Sequence, residues 1–294
     1  MNHPTWVKQF SIGHVIIRIH SAESHFEHAI HLLTQLYQSN QQPQPNLSFR
    51  IDKKEQYYTL YLGDEVIWKS EDSRDIAPAF EFALYQRTLQ QLETSLISIH
   101  ASSITYAQHT IMFAGRSGAG KSSLCTAALW DGASYITDEF SLLSQTGHIH
   151  PFPRPLQWDD INHPAFEVNT LLNSGLFQKG EFSFPNPDGD ILTSHLWLPS
   201  HVQHQKSPMN TVILPQYHAN HPAAALKPIR RSEALMLLTE HLHTRASFSQ
   251  MFKELHQRLP QQLHFYQLHF SDVVNAWATV KQSCCQPTTT SNKT

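Results

Sequence analysis

Thr110-Ile-Met-Phe-Ala114 runs straight into Gly115-Arg-Ser-Gly-Ala-Gly-Lys-Ser122, and this stretch decides how the rest of the chain is read. A short β-prone run meets a glycine-spaced loop that closes on Lys-Ser, the Gly-x-x-x-x-Gly-Lys-Ser/Thr pattern of a phosphate-binding P-loop. The chemistry needs those residues at that spacing because glycines permit a turn whose successive backbone N–H groups face one anion. Gly115 opens the turn, and the amides of Arg116, Ser117, Gly118, Ala119, Gly120, Lys121 and Ser122 are expected to cradle phosphate, with Ser123 continuing the first helical turn. Lys121 is expected to reach the terminal phosphates and the Ser122 hydroxyl to ligate Mg²⁺. The chain holds only 10 glycines, so an accidental match is rare.

Working outward, a helix is expected from Lys121 to about Trp130, stopped by Asp131-Gly132, and then a short strand from Ser134 to Thr137. Strand, loop, helix, strand is a phosphate-binding βαβ unit. The strand delivers Asp138-Glu139 to the carboxyl edge of the sheet, where ligands of α/β folds sit. One carboxylate can hold Mg²⁺, directly or through water, while the other accepts a proton from an attacking hydroxyl.

Before the motif, Gly13 to His20 reads as a strand, and Phe26, Ile30, Leu33 and Tyr37 share one helical face. The polar, Pro-punctuated stretch from Gln38 to Asn46 reads as a loop. Tyr57–Leu62 and Glu65–Trp68 form a hairpin about Gly63-Asp64, and Tyr85, Leu89, Leu92 and Leu96 return to helical spacing. Leu96–Ile99 and Ser103–Tyr106 read as two further short strands. After the motif, Leu235, Leu238 and Leu242 mark a helix introduced by Ser232. Phe252, Leu255 and Leu259 mark one that Pro260 ends, and Leu263–Phe270 alternates like a strand. Ser271 is placed to cap a last helix carrying Val274, Trp277 and Val280. The division expected is a small N-terminal α/β unit over 1–95, a catalytic α/β domain over 96–282 and a polar, flexible tail over 283–294.

Composition narrows the partners. With 21 basic against 24 acidic residues, a net charge of −3 and no dense Lys/Arg block, no nucleic-acid partner is expected. No apolar stretch approaches the roughly 20 residues that span a bilayer, and no signal peptide is read, so no membrane partner and a cytoplasmic location are expected. The three cysteines, Cys125, Cys284 and Cys285, make neither a disulfide framework nor a spaced ligand set. The 21 histidines are scattered singly rather than in a zinc-ligand spacing.

From His100-Ala-Ser through the glycine loop to Tyr135-Ile-Thr-Asp-Glu139, the chain resembles the HPr kinase/phosphorylase group, which shares its nucleotide-binding fold with phosphoenolpyruvate carboxykinases. That family carries a histidine where His100 stands, 15 residues before Gly115, and an acid pair where Asp138-Glu139 stand. The resemblance implies an α/β fold with an HPr-kinase/PEP-carboxykinase-like catalytic domain, and a role for His100 in tuning or positioning the catalytic acid. The family's base aligns with Glu139, leaving Asp138 as metal or water ligand, with the two roles open to exchange. The signature loop of HPr kinases is missing. His150-Pro-Phe-Pro-Arg-Pro-Leu156 stands in its place and is similar to that of HPr-kinase-related kinases found beside peptide-modifying and other biosynthetic genes. Arg154 in this stretch can clamp a phosphate bidentately.

The expected function is therefore an ATP- and Mg²⁺-dependent kinase, with Glu139, Asp138, His100 and Lys121 at the reacting centre and a Ser or Thr hydroxyl of a peptide or small protein as acceptor. A homo-oligomer is compatible with the sequence. Two other readings stay open: a nucleotide-binding regulatory module with little turnover, and a phosphotransferase for small molecules.

Overall fold

The computed structural model describes residues 5–42, 44–158, 163, 165–186, 188–244 and 246–285. The first part is β1 (Trp6–Ile12), β2 (Val15–Ser21), α1 (Glu27–Thr34), β3 (Gln38–Ser39), β4 (Leu47–Lys54), β5 (Tyr57–Leu62), β6 (Glu65–Ser70) and α2 (Ile76–Leu92). Its six strands make one sheet in the order β3-β1-β2-β4-β5-β6. The period-two rule is plain in β4, where Leu47, Phe49 and Ile51 are buried and the residues between them are not. On α2, Ile76, Phe80, Ala83 and Leu84 recur at helical spacing and are buried; the Phe80 ring meets Phe49 edge-on at 5.2 Å. Gly63, at φ +58, turns β5 into β6 with Leu62 opposite Glu65.

The second part is β7 (Leu96–Tyr106), β8 (His109–Ala114), α3 (Lys121–Trp130), β9 (Ser134–Thr137), β10 (Phe140–Ser144), β11 (His148–His150), α4 (Val168–Asn173), β12 (Phe177–Pro185), β13 (Ile191–Pro199), β14 (Ser207–Tyr217), β15 (Ala225–Pro228), α5 (Arg231–Thr239), α6 (Phe248–Arg258), β16 (His264–Phe270) and α7 (Val273–Cys284). Eight of these strands form a mixed sheet, β11-β10-β7-β8-β14-β16-β15 with β9 on β7, and a β11–β14 pairing bends the sheet back on itself. Neighbouring strands pair parallel at β8–β14 and β14–β16, and β9, antiparallel to β7 as β8 is, runs in the same direction, so the carboxyl ends of these four strands share one edge. Helices α3 and α7 cover one face; α5 and α6 cover the other, around Ile99, Met112, Val212, Leu235 and Leu255. The protein is thus a mixed α/β fold. The larger buried cluster is continuous from the β1–β6 sheet through α3 and α7, so the two parts share one core. Among the described residues no helix is long and apolar enough to cross a membrane.

Several local expectations need correction. Leu96–Ile99 and Ser103–Tyr106 belong to one 11-residue strand, because the polar Ser102 and Ser103 at their junction are fully buried but hydrogen-bonded, Ser102 to Asp138 and Ser103 Oγ to Ser141 Oγ at 2.7 Å. Leu96 is therefore the first residue of β7, not the end of a helix. Gln38-Ser39, expected in a loop, pair with β1. Ser232 lies inside α5, whose N-cap is Arg230, and Leu242 lies beyond that helix and bridges to Ile99. The cap of α7 is Asp272, which accepts from the Asn275 amide at 2.7 Å, rather than Ser271. The end of the tail, from residue 286, lies outside the described residues.

Candidate active site

Strand β8 ends at the glycine loop, and the loop runs into α3. Gly118 and Gly120 both take left-handed backbone conformations, φ +75 and +94. Around Gly118 there is open space, whereas a methyl group on Gly120 would stand 2.6 Å from Cζ of the buried Phe270 ring. Alanine at 118 is expected to cost about 1 kcal/mol, the left-handed penalty alone. At 120 the steric clash adds to it, for a total of about 2–4 kcal/mol. Chemical denaturation of both variants checks the ranking, and equal losses would mean that Phe270 yields freely.

Lys121, the first residue of α3, is buried, and its Nζ donates to the carbonyl oxygens of Gly115 at 2.9 Å and Arg116 at 3.1 Å. The ammonium is thereby folded back over the loop. Burial lowers its proton affinity, and Glu139 and Asp138 work against that. The next residue, Ser122, donates through Oγ to Asp138 Oδ2 at 2.9 Å, while Ser102 Oγ on β7 donates to Oδ1 of the same carboxylate. Asp138 is 3% exposed. Burial pushes its pKa above the usual carboxylate range in spite of these two hydrogen bonds.

Glu139 lies in the two-residue break between β9 and β10, which run in line along β7, and it takes φ +84, a conformation a glutamate adopts only when its surroundings impose it. His100 faces it from β7, where His100 pairs with Phe140, and His100 Nε2 lies 2.9 Å from Glu139 Oε2. That hydrogen bond is the main reason the Glu139 pKa is held down to about 2. The His100 amide donates to the His241 carbonyl at 2.6 Å, the His243 amide to Ser98 O at 2.9 Å, and the His243 ring hydrogen-bonds the Glu139 backbone. Residues 241–243 thus pack against His100 and Glu139.

Ser117, Gly118, Gly120, Lys121, Ser122, Ser123 and Glu139 line one cleft of about 690 Å³, together with Gln157, His163, Tyr217 and Phe270. Asp138 and His100 stand behind this lining, each bonded to a residue in it. Arg116 points outward, 83% exposed, and pairs with Glu240 at 3.0 Å. Arg154 is buried over the Tyr85 ring, 3.7 Å from Glu81 on α2, and reaches the cleft only through Gln157, to which it donates at 2.7 Å. Its charge still contributes to lowering the pKa values of Asp138 and Glu139. Arg231 is spent on the carbonyls of Leu259 and Pro260.

Ser102, His243, Gln157 and Phe270 were not singled out from the sequence. Ser102 had a weak signal, lying two residues after His100 on the same strand. The other three are brought in by chain reversals that leave no local pattern. No protein-family model and no curated protein matches the chain.

Proposed function

We propose that the chain is an ATP-dependent P-loop kinase of the HPr-kinase-related type, transferring the γ-phosphoryl group to a Ser or Thr hydroxyl of a peptide or small protein. The observation that carries this reading is the single cleft shared by the Lys121–Ser122 loop and the Glu139 carboxylate. The residues present suit Mg²⁺: Ser122 Oγ and Asp138 Oδ2 are adjacent hard oxygens, and among the described residues the buried carboxylate is hydrogen-bonded by two serines, with Arg154 acting on it only through its charge. Bound there, Mg²⁺ would offset charge on the transferring phosphoryl.

The chain's own residues do the rest. Lys121 leaves the Gly115 and Arg116 carbonyls for the phosphate oxygens, and the loop amides hold them in place. Glu139 is ionised throughout the neutral range and is an acceptor for the substrate hydroxyl. A carboxylate with so low a pKa is a weak base, so its part is to orient the nucleophile, with His100 beside it. The loose transition state of phosphoryl transfer asks for little more.

That low basicity also favours a second reading, a nucleotide-binding regulatory module with slow turnover. Transfer of labelled γ-phosphate to polypeptides of the source genome, followed by mass spectrometry, decides between them. Acid-stable phosphoserine or phosphothreonine supports the kinase. Nucleotide binding with no transfer to any polypeptide supports the module, and transfer to small metabolites alone refutes the polypeptide acceptor.

A further inference from the structure

The cleft of about 690 Å³ around the glycine loop has two unlike ends. Glu139 enters it between β9 and β10, which lie on the β7 side of β8. Tyr217 and Phe270 end β14 and β16, on the other side of β8. There the lining also takes in Ser271, Asp272 and Val274 at the start of α7. The chemistry at Glu139 uses none of them.

This second end is built on the loop itself. A methyl group on Gly120 would stand 2.6 Å from Cζ of Phe270, so the Phe270 ring lies directly against the loop. Tyr217 is opposite Phe270 in the parallel β14–β16 register, and its ring meets Phe270 edge-on, 5.8 Å away at 68°. The His218 amide donates to the Phe270 carbonyl at 2.8 Å, which fixes the backbone just beyond Tyr217. Yet Tyr217 and Val274 are each 50% exposed. One exposed tyrosine or valine is ordinary on a protein surface. Both in the wall of one cleft, with the tyrosine aligned by a buried ring, give that wall a fixed apolar face.

The polar groups at this end agree. Asp272 caps α7 through Oδ1, which accepts from the Asn275 amide at 2.7 Å, and its other oxygen has no partner among the described residues. The Ser271 hydroxyl is engaged with the His221 carbonyl at 2.7 Å. An apolar face beside a spare carboxylate oxygen disfavours phosphate. It suits a group with a π-face and N–H or O–H donors, as a nucleoside has.

We propose, on the reading of the glycine loop as the phosphate site, that the nucleoside half of the ligand lies at this end, its base stacked on the Tyr217 ring against Val274 and its donors toward Asp272. A triphosphate with its γ-phosphoryl facing Glu139 then spans the loop, and Tyr217 is the residue that distinguishes a nucleotide from inorganic polyphosphate. Stacking tolerates any base because every base has a π-face. The selectivity is therefore for a nucleotide rather than for one base.

The test measures binding of Mg²⁺–ATP and of Mg²⁺–tripolyphosphate to the full-length chain by calorimetry. Tripolyphosphate probes the loop alone. Tyr217→Ala is expected to weaken ATP about tenfold or more, the usual worth of one base–aromatic stack, and to leave tripolyphosphate within about twofold. Tyr217→Phe keeps the ring and is expected to bind ATP within about threefold of wild type. A photoreactive ATP analogue with an azide on the purine ring, used on the wild-type chain and displaced by ATP, is expected to label the peptide containing Tyr217 or Val274. That labelling decides the matter should Tyr217→Ala not fold by circular dichroism. Equal loss of both ligands in Tyr217→Ala, unchanged ATP binding in that variant, or ATP-displaceable label elsewhere would overturn the assignment of the base. If the wild type binds neither ligand, the glycine-loop reading fails, and the base site with it.

Discussion

Lys121→Ala is expected to abolish the stabilisation that ATP and Mg²⁺ confer on the wild-type protein and to lower phosphoryl transfer by at least about a thousandfold. A ligand bound only by the native state, at 100 times its Kd, stabilises by about 2.7 kcal/mol, which for a chain of this size is roughly 5–10 °C in melting temperature. The unliganded variant should itself melt lower, by an amount comparable to the ligand shift, since the Lys121 ammonium hydrogen-bonds two loop carbonyls. Each lost bond is worth about 1 kcal/mol. The comparison must therefore be made between shifts, not between melting temperatures. Differential scanning fluorimetry with and without millimolar nucleotide is sufficient. A wild-type protein that shows no shift, or a variant that shows the full one, would remove the glycine loop as the nucleotide site.

Most of what places that loop was legible because it is local. The apolar run Thr110–Ala114, the glycine spacing and the helix to Trp130 each obey a short-range rule; helix α3 has the expected bounds, and strand β8 begins one residue earlier, at His109. The same is true of Ser134–Thr137. Strand β14 is a mixed case, since its Thr211-Val-Ile-Leu214 is a β-prone apolar run of the same kind. It carries Pro208 and Pro215, residues that argue against a central strand, yet it stands between β8 and β16, with Pro215 opposite Leu268. Tertiary pairing overrides the preference of the two prolines there, which flank the apolar run and mask it as a strand.

The same distinction divides the candidate site. Lys121, Ser122 and the acid pair lie within one βαβ unit, so their approach follows from the order of elements. The pairing of His100 with Glu139 depends on β7 lying beside β10, with His100 opposite Phe140, and spacing alone does not determine that register. Arg154 is the opposite case. Its sequence setting suggested a phosphate clamp, whereas Glu81 and Tyr85, both on α2, hold it in the interior. A helix some seventy positions earlier in the chain decides where that guanidinium goes.

Glu139→Gln and Asp138→Asn are expected to separate function from stability in opposite ways. Glu139→Gln keeps the size of the side chain but removes the carboxylate charge that orients the acceptor hydroxyl, so turnover should fall roughly 10²-fold while the nucleotide-dependent melting shift is retained. It should also change the acid stability of the unliganded protein. The folded Glu139 has its pKa depressed from 4.5 to about 2, chiefly by His100. Its contribution is therefore present above about pH 4.5 and is lost as the pH falls through about 2. With the Glu139 side chain 36% exposed, solvent screening holds that contribution to about 1 kcal/mol or less. Asp138 has the opposite sign. Burial raises its folded pKa, so its charge costs stability at neutral pH, and that cost is relieved as the pH falls through the folded pKa. Asparagine at 138 can still accept from one of Ser102 and Ser122 through Oδ1 and donate to the other through Nδ2, so both polar contacts survive without the buried charge. The unliganded Asp138→Asn protein should consequently melt at or above the wild-type temperature, while needing roughly tenfold more Mg²⁺ to reach half of its nucleotide shift. Melting curves at pH 7 across a Mg²⁺ series measure both quantities together. A destabilised Asp138→Asn protein with an unchanged Mg²⁺ requirement would assign Asp138 to holding the fold rather than to holding the cation.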